Sequence, residues 1–307
     1  MAQQPDVLLP NTVPPTPDLP FLSQEPRNGE PSCAWENFKR PRLRKFPQAA
    51  STLQFQGFIG AGVDGLVLGA KTGDNAAVAV KIFYYSKPCN DHRYWAFQRE
   101  CCNSAVLEMI RIATQRSGAD SGAPLYLLPT PRRITDAVRN LRAFSTEYSH
   151  KYRANPPPNF EPFDYSHLQL NECLGWTQLD GGAVRSLLHG WRLGISEFCS
   201  TPAVDAASWY FAIVYRFVPD ALLEDSVVLS HMNFFYRAGF DPVPFKADNW
   251  RGPGILVDLS DLVLPFESDW QECIYGPMVK RDGRFTLGQA NRPSKRETEK
   301  DAATRHA

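Results

Sequence analysis

Residues 58–83 read FIGAGVDGLVLGAKTGDNAAVAVKIF. The stretch predicts a strand, a glycine-rich turn, a second strand, a short loop and a third strand that carries a lysine near its end. Gly60, Gly62 and Gly65 form G-x-G-x-x-G, and Val67 extends it to G-x-G-x-x-G-x-V. Glycines in such a turn let backbone amides approach phosphate oxygens with no Cβ in the way. Lys81, at the end of Val78-Ala79-Val80-Lys81, would add a point charge to those phosphates. A dinucleotide-binding turn has the same glycine spacing but must open a helix. Leu66-Val67-Leu68 is instead β-like. The plainer alternative is a glycine-rich hairpin with Lys81 as a surface charge.

Working outward, residues 94–112 (YWAFQRECCNSAVLEMIRI) space their apolar side chains as a helix does. Glu100 lies on this helix and is the first candidate partner for Lys81; Glu108 is the alternative. A carboxylate paired with such a lysine holds it on the phosphates. Upstream, residues 1–50 are rich in proline and lack apolar periodicity, which predicts a disordered tail. The basic cluster at residues 39–45 is either a nuclear import signal, a nucleic-acid patch or a solvated linker. Order is expected from residue 51.

Downstream, residues 113–170 and 180–206 look like two insertions. Within the first, residues 134–148 suggest a short helix, and residues 168–176 suggest a fourth strand. WYFAIVYRFV at 209–218 predicts a fifth strand. Residues 222–238 predict an amphipathic helix, stopped by Gly239, with His231 a packed or surface histidine rather than a ligand. A short helix is possible at 267–275. Residues 280–307 read as a charged, disordered tail.

The chain has 307 residues and equal numbers of acidic and basic side chains, 33 each. Net charge therefore favours neither nucleic acid nor membrane as a partner. No apolar run is long enough to span a bilayer, and residues 1–15 lack the apolar core of a secretory signal. Seven scattered cysteines without a C-x-x-C pair suggest reduced, buried thiols of an intracellular protein.

The glycine hairpin, the V-A-x-K strand and the Glu100 helix together match the N-terminal half of a protein kinase. The catalytic half departs from it. Asp258 follows the apolar run Ile255-Leu256-Val257 and takes the place of the metal-binding aspartate, with Asn249 as the second metal ligand. Pro244 falls where the catalytic base belongs, and Val243 where its arginine neighbour belongs. Asp241 and Asp248 are the alternative bases. The chain also ends before a peptide-binding platform can form.

The chain resembles a fungal kinase-like family typified by an Fta-type subunit of the inner-kinetochore Sim complex. The resemblance rests on FIGAGVDGLV (58–67), AVKIF (79–83), Arg99-Glu100-Cys101, CLGW (173–176) and GILVDLS (254–260). It implies an α+β, protein-kinase-like fold over residues 51–279. A five-stranded antiparallel N-lobe with one αC-type helix would occupy residues 51–218, and a small truncated helical C-lobe residues 219–279. It further implies a nuclear, centromere-associated protein that engages protein partners, possible retention of ATP with magnesium, and no membrane association. The alternative is an ATP-dependent phosphotransferase with an unconventional catalytic loop.

Overall fold

The structure, a computed structural model, describes residues 7–8, 14–88, 94–119, 124–191, 204–242 and 246–277. The fold is α+β. Three strands, β1 (Val7–Leu8), β2 (Leu22–Pro26) and β3 (Leu43–Lys45), and one helix, α1 (Trp35–Lys39), precede the glycine hairpin. The hairpin itself is β4 (Gln54–Ala61) and β5 (Gly65–Lys71), followed by β6 (Ala77–Phe83) and the long helix α2 (Ala96–Ala119). Next come β7 (Leu125–Leu127), α3 (Ile134–Arg142), α4 (Thr146–Ala154) and β8 (Glu161–Phe163). Strand β9 (Cys173–Asp180) leads into α5 (Gly181–Gly190), and β10 (Trp209–Arg216) precedes α6 (Asp225–Arg237). Four two-residue strands close the described chain: β11 (Asp241–Pro242), β12 (Trp250–Arg251), β13 (Ile255–Leu256) and β14 (Leu262–Val263).

The main sheet has eight strands in the order β1-β4-β5-β6-β10-β9-β3-β2. Its central five, β4-β5-β6-β10-β9, are antiparallel throughout. The expected sheet of five antiparallel strands is therefore too small, and the full sheet is mixed: β3 runs parallel to both β9 and β2.

Strand alternation sorts the side chains of β6. Val78, Val80 and Ile82 point to one face, where they meet Leu66 and Leu68 of β5 and Val184 and Leu187 of α5. Lys81 and Phe83 point to the other face, which α2 covers. Helix α5 lies in what the sequence suggests is a polar insertion. Asp180 starts it, its carboxylate accepting a hydrogen bond from the Ala183 amide at 2.9 Å, and it buries Ala183, Val184, Leu187 and Leu188.

Residues 20–46 are packed chain rather than a disordered tail. Phe38 and Leu43 are 0% and 1% exposed, and the Trp176 indole N–H donates to the Ser23 carbonyl at 2.8 Å. Gly175 permits this docking. Its φ of +122° suits glycine, and a Cβ there would stand 2.6 Å from the Phe46 nitrogen. The basic cluster is engaged by groups of the protein itself, at the surface for Lys39 and Arg40. Lys39 and Arg40 face Glu36, Arg42 donates to the Leu22 carbonyl, Arg44 pairs with Glu108, and Lys45 lies over the Trp176 ring.

Residues 124–163 are equally integrated. Asn140 Nδ2 donates to the carbonyls of Leu128 and Arg237, at 2.9 and 2.7 Å, tying α3 to α6. One contiguous apolar core runs from the α2 face of the sheet through α4 to α6. The segment after residue 218 is thus not a separate helical lobe: α6 is its one α-helix among the described residues. Residues 267–275 form turns, because Glu267 and Asp269 are drawn to Arg99 and the Gln271 amide to Asp241. Among the described residues, no helix is long and apolar enough to cross a membrane.

Candidate functional site

The glycine turn is closed by the Gly62 amide, which donates to the Gly65 carbonyl at 2.8 Å. Its three glycines do different work. A Cβ on Gly65 would sit 2.2 Å from the Ile82 carbonyl oxygen, so this residue is required by the close approach of β6. A Cβ on Gly60 or Gly62 would meet no atom within 4 Å. Those two border a cavity of about 450 Å³ between the sheet and the segment from Lys246 to Asp261. This volume lies in the range of small-molecule sites. Val67, Ala79, Val218 and Val257 contribute apolar lining, and Lys81, Asn249 and Asp258 contribute polar lining.

Lys81 is fixed by the registers of β6 with β5 and β10, opposite Val67 and Ile213. Its ammonium donates to Glu100 Oε2 at 2.6 Å and to Asp258 Oδ1 at 2.9 Å. Glu100 is fully buried, and its other oxygen accepts from the Tyr215 hydroxyl at 2.8 Å. Ser104 Oγ is 3.0 Å from the same hydroxyl. Since the tyrosine proton goes to the carboxylate, Ser104 is the donor in that contact. Glu108, the alternative partner, is two helical turns away and pairs with Arg27 and Arg44 instead.

Asp258 is placed by α2. The Asn103 amide nitrogen donates to the Leu259 and Leu262 carbonyls, at 2.7 and 2.8 Å, which docks the 3₁₀ turn at residues 259–261. Asp258 caps that turn: its Oδ1 also accepts from the Ser260 amide at 3.2 Å and the Ser260 hydroxyl at 2.6 Å.

Electrostatics follow from this packing. Burial opposes the charge on Lys81, but Glu100 and Asp258 outweigh it and hold the ammonium above its ordinary pKa. Burial lifts the Glu100 carboxyl above the usual carboxylate range, with Lys81 pulling it back in part. For Asp258, burial is outweighed by Lys81 and the Ser260 bonds, so its carboxyl lies below the ordinary value. Burial, reinforced by Asp258, pushes Asp261 up to about 6.

No known protein family, characterised protein or solved structure matches the chain. The site therefore stands on its own geometry.

That geometry brings together Gly60, Gly62, Gly65, Val67, Ala79, Lys81, Asn249 and Asp258 around one cavity, with Glu100 behind Lys81. Asn249 and Asp258, the expected metal ligands, both line the cavity. Asn249 donates to Asp261 through its amide nitrogen, not the oxygen that would ligate a metal, and the three hydrogen bonds to Asp258 all fall on Oδ1. Among the described residues, no group of three or more His, Cys, Asp or Glu side chains is arranged to hold a metal ion. Asp241 is buried, accepts from the Gln271 amide at 3.1 Å and does not line the cavity, which removes it as a base. Asp248 does line the cavity. Val243 and Pro244 lie outside the described residues. Of the packed and surface alternatives, His231 is packed: Nδ1 donates to the Gly254 carbonyl at 2.7 Å and Nε2 accepts from the Gln169 amide at 2.9 Å.

Sequence reasoning missed Tyr215, Asp64, Ser260 and Asp261 as site residues. Asp64 had a local signal, standing between Gly62 and Gly65 in the turn. The Tyr215 contact gave none, since it depends on how α2 crosses β10.

Proposed function

We propose that this chain is a protein-kinase-like domain that binds a nucleotide-type ligand in the cavity and serves as an interaction module rather than a phosphotransferase. The observation that carries this reading is the Lys81–Glu100–Asp258 cluster. Residues 19 and 177 positions from Lys81 meet its ammonium beneath a glycine turn. Buried polar clusters of this kind, beside a cavity with apolar walls, mark functional sites more often than plain scaffolding. The order β4-β5-β6-β10-β9, with α2 carrying Glu100 across one face, supports the kinase-like part. The sequence resemblance to an inner-kinetochore subunit supports a nuclear, centromere-associated setting and protein partners.

Phosphoryl transfer requires a group that orients the attacking hydroxyl. Among the described residues only Asp248 offers a carboxylate on the cavity wall at an expected base position. That placement keeps transfer by Asp248 as the second reading.

A thermal-unfolding titration of the full chain with a panel of nucleosides and nucleotides separates the outcomes. A ligand at 100 times its Kd stabilises the fold by about 2.7 kcal/mol. The proposal expects such a shift, its loss in an Ala79→Trp variant shown folded by circular dichroism, and no phosphate transfer to protein substrates. Transfer abolished by Asp248→Asn would establish the second reading, and no shift with any ligand would refute both.

A further inference from the structure

The charges around the cavity favour some members of the nucleotide class over others. Four carboxylates and four cations line it. Three of the cations are already claimed from outside the lining. Lys81 pairs with Glu100, Arg216 with Glu172 at 3.2 Å, and Arg251 with Asp220 at 3.3 Å. The neighbourhood of Lys81 therefore carries an excess of negative charge.

Asp64 concentrates that excess where phosphates would approach a glycine turn. Its backbone carbonyl accepts from the Tyr84 amide at 3.0 Å, which pins the turn onto β6. Its carboxylate accepts from the Tyr94 hydroxyl at 3.4 Å and lines the cavity. The charged groups facing it are Lys81, Asp258 and Lys246. Lys81 is already shared between two carboxylates, so Lys246 is the other cation opposite Asp64. Burial raises the Asp64 carboxyl above its ordinary value, with Lys81 pulling it back in part. A cation bridging phosphate and protein would relieve the repulsion.

Resting on the proposed nucleotide-type site, we infer that the cavity takes a weakly charged ligand of nucleoside class. In this view Asp64 is the specificity residue that turns polyphosphates away. Like charges facing each other across a binding site disfavour the wrong partner. ATP without a divalent cation should then bind at least about tenfold more weakly than adenosine, a gap of about 1.4 kcal/mol.

Calorimetric titration of the full chain with adenosine and with ATP, each in EDTA and in magnesium, tests this. The expected result is adenosine binding equally in both buffers, and ATP binding at least about tenfold weaker in EDTA. Asp64→Asn should narrow that gap to within about threefold. Lys246→Ala should widen it, a change that a purely structural role for the turn would not produce. ATP binding as tightly as adenosine in EDTA, or a gap unmoved by Asp64→Asn, overturns the inference while leaving the nucleotide-type reading intact. No binding of either ligand to a folded chain overturns both.

Discussion

Replacing Lys81 with methionine removes the cation between two carboxylates and leaves the hydrocarbon stem largely in place. Glu100 is then a fully buried carboxylate with the Tyr215 hydroxyl as its remaining donor. Its folded pKa, already raised by burial with Lys81 present, rises further. The cost then depends on pH in a definite direction. A carboxyl whose folded pKa exceeds its unfolded value of about 4.3 costs nothing below that value and destabilises increasingly as pH rises above it. Each unit is worth about 1.36 kcal/mol, so the Glu100 penalty in the variant has a ceiling of about 3.7 kcal/mol at pH 7 and about 1 kcal/mol at pH 5, part of it already present in the parent. The pH 7 figure agrees with the roughly 3–5 kcal/mol typical of a buried pair broken on one side. Urea unfolding at the two pH values measures it. In the double variant Lys81→Met with Glu100→Gln, a neutral amide still accepts from Tyr215, so most of the pH 7 loss should return. A Lys81→Met loss under about 1 kcal/mol at pH 7, or a loss that grows toward pH 5, would refute a buried, Lys81-neutralised Glu100.

Other consequences concern the turn, the tyrosine and the N-terminal strap. Gly65→Ala should destabilise by about 1–3 kcal/mol, because its Cβ meets the Ile82 carbonyl at 2.2 Å. Gly62→Ala should leave the thermal midpoint almost unchanged, as nothing lies within 4 Å. Tyr215→Phe removes a hydrogen bond to buried Glu100 and should cost about 1.5–3 kcal/mol in denaturant unfolding. Leu43→Ala should cost about 2–5 kcal/mol, given a side chain only 1% exposed. Limited proteolysis should cut that variant within residues 20–46 before the rest of the chain, whereas resistance equal to the parent would contradict the packed strap.

The hairpin, β6 and α2 were legible because each carries a strong local signal. Alternation in Val78, Val80 and Ile82 sets the face of Lys81, and helical spacing sets the face of Glu100. Asp258 was legible as a carboxylate after an apolar strand. Residues 14–50 were not, because each short element there buries only one or two side chains, such as Leu22, Phe38 and Leu43. Prolines and arginines between them erase any period. The arginines look like solvated charge until Glu108 and the Leu22 carbonyl are placed beside them. Helix α5 was hidden by its opening glycines, which are poor helix formers, although Asp180 ahead of them is a standard cap. The helix expected at 267–275 fails for a tertiary reason: its acidic residues are recruited by Arg99.

The central claim is that the cavity beneath the glycine turn binds a nucleotide-type ligand. Photolabelling of the full chain with an azidoadenosine probe, followed by peptide mapping, tests it most directly. The account predicts label confined to peptides spanning residues 58–81, 209–218 or 246–261, and its loss on competition with adenosine. Label scattered over the surface, or label that adenosine does not displace, would contradict it.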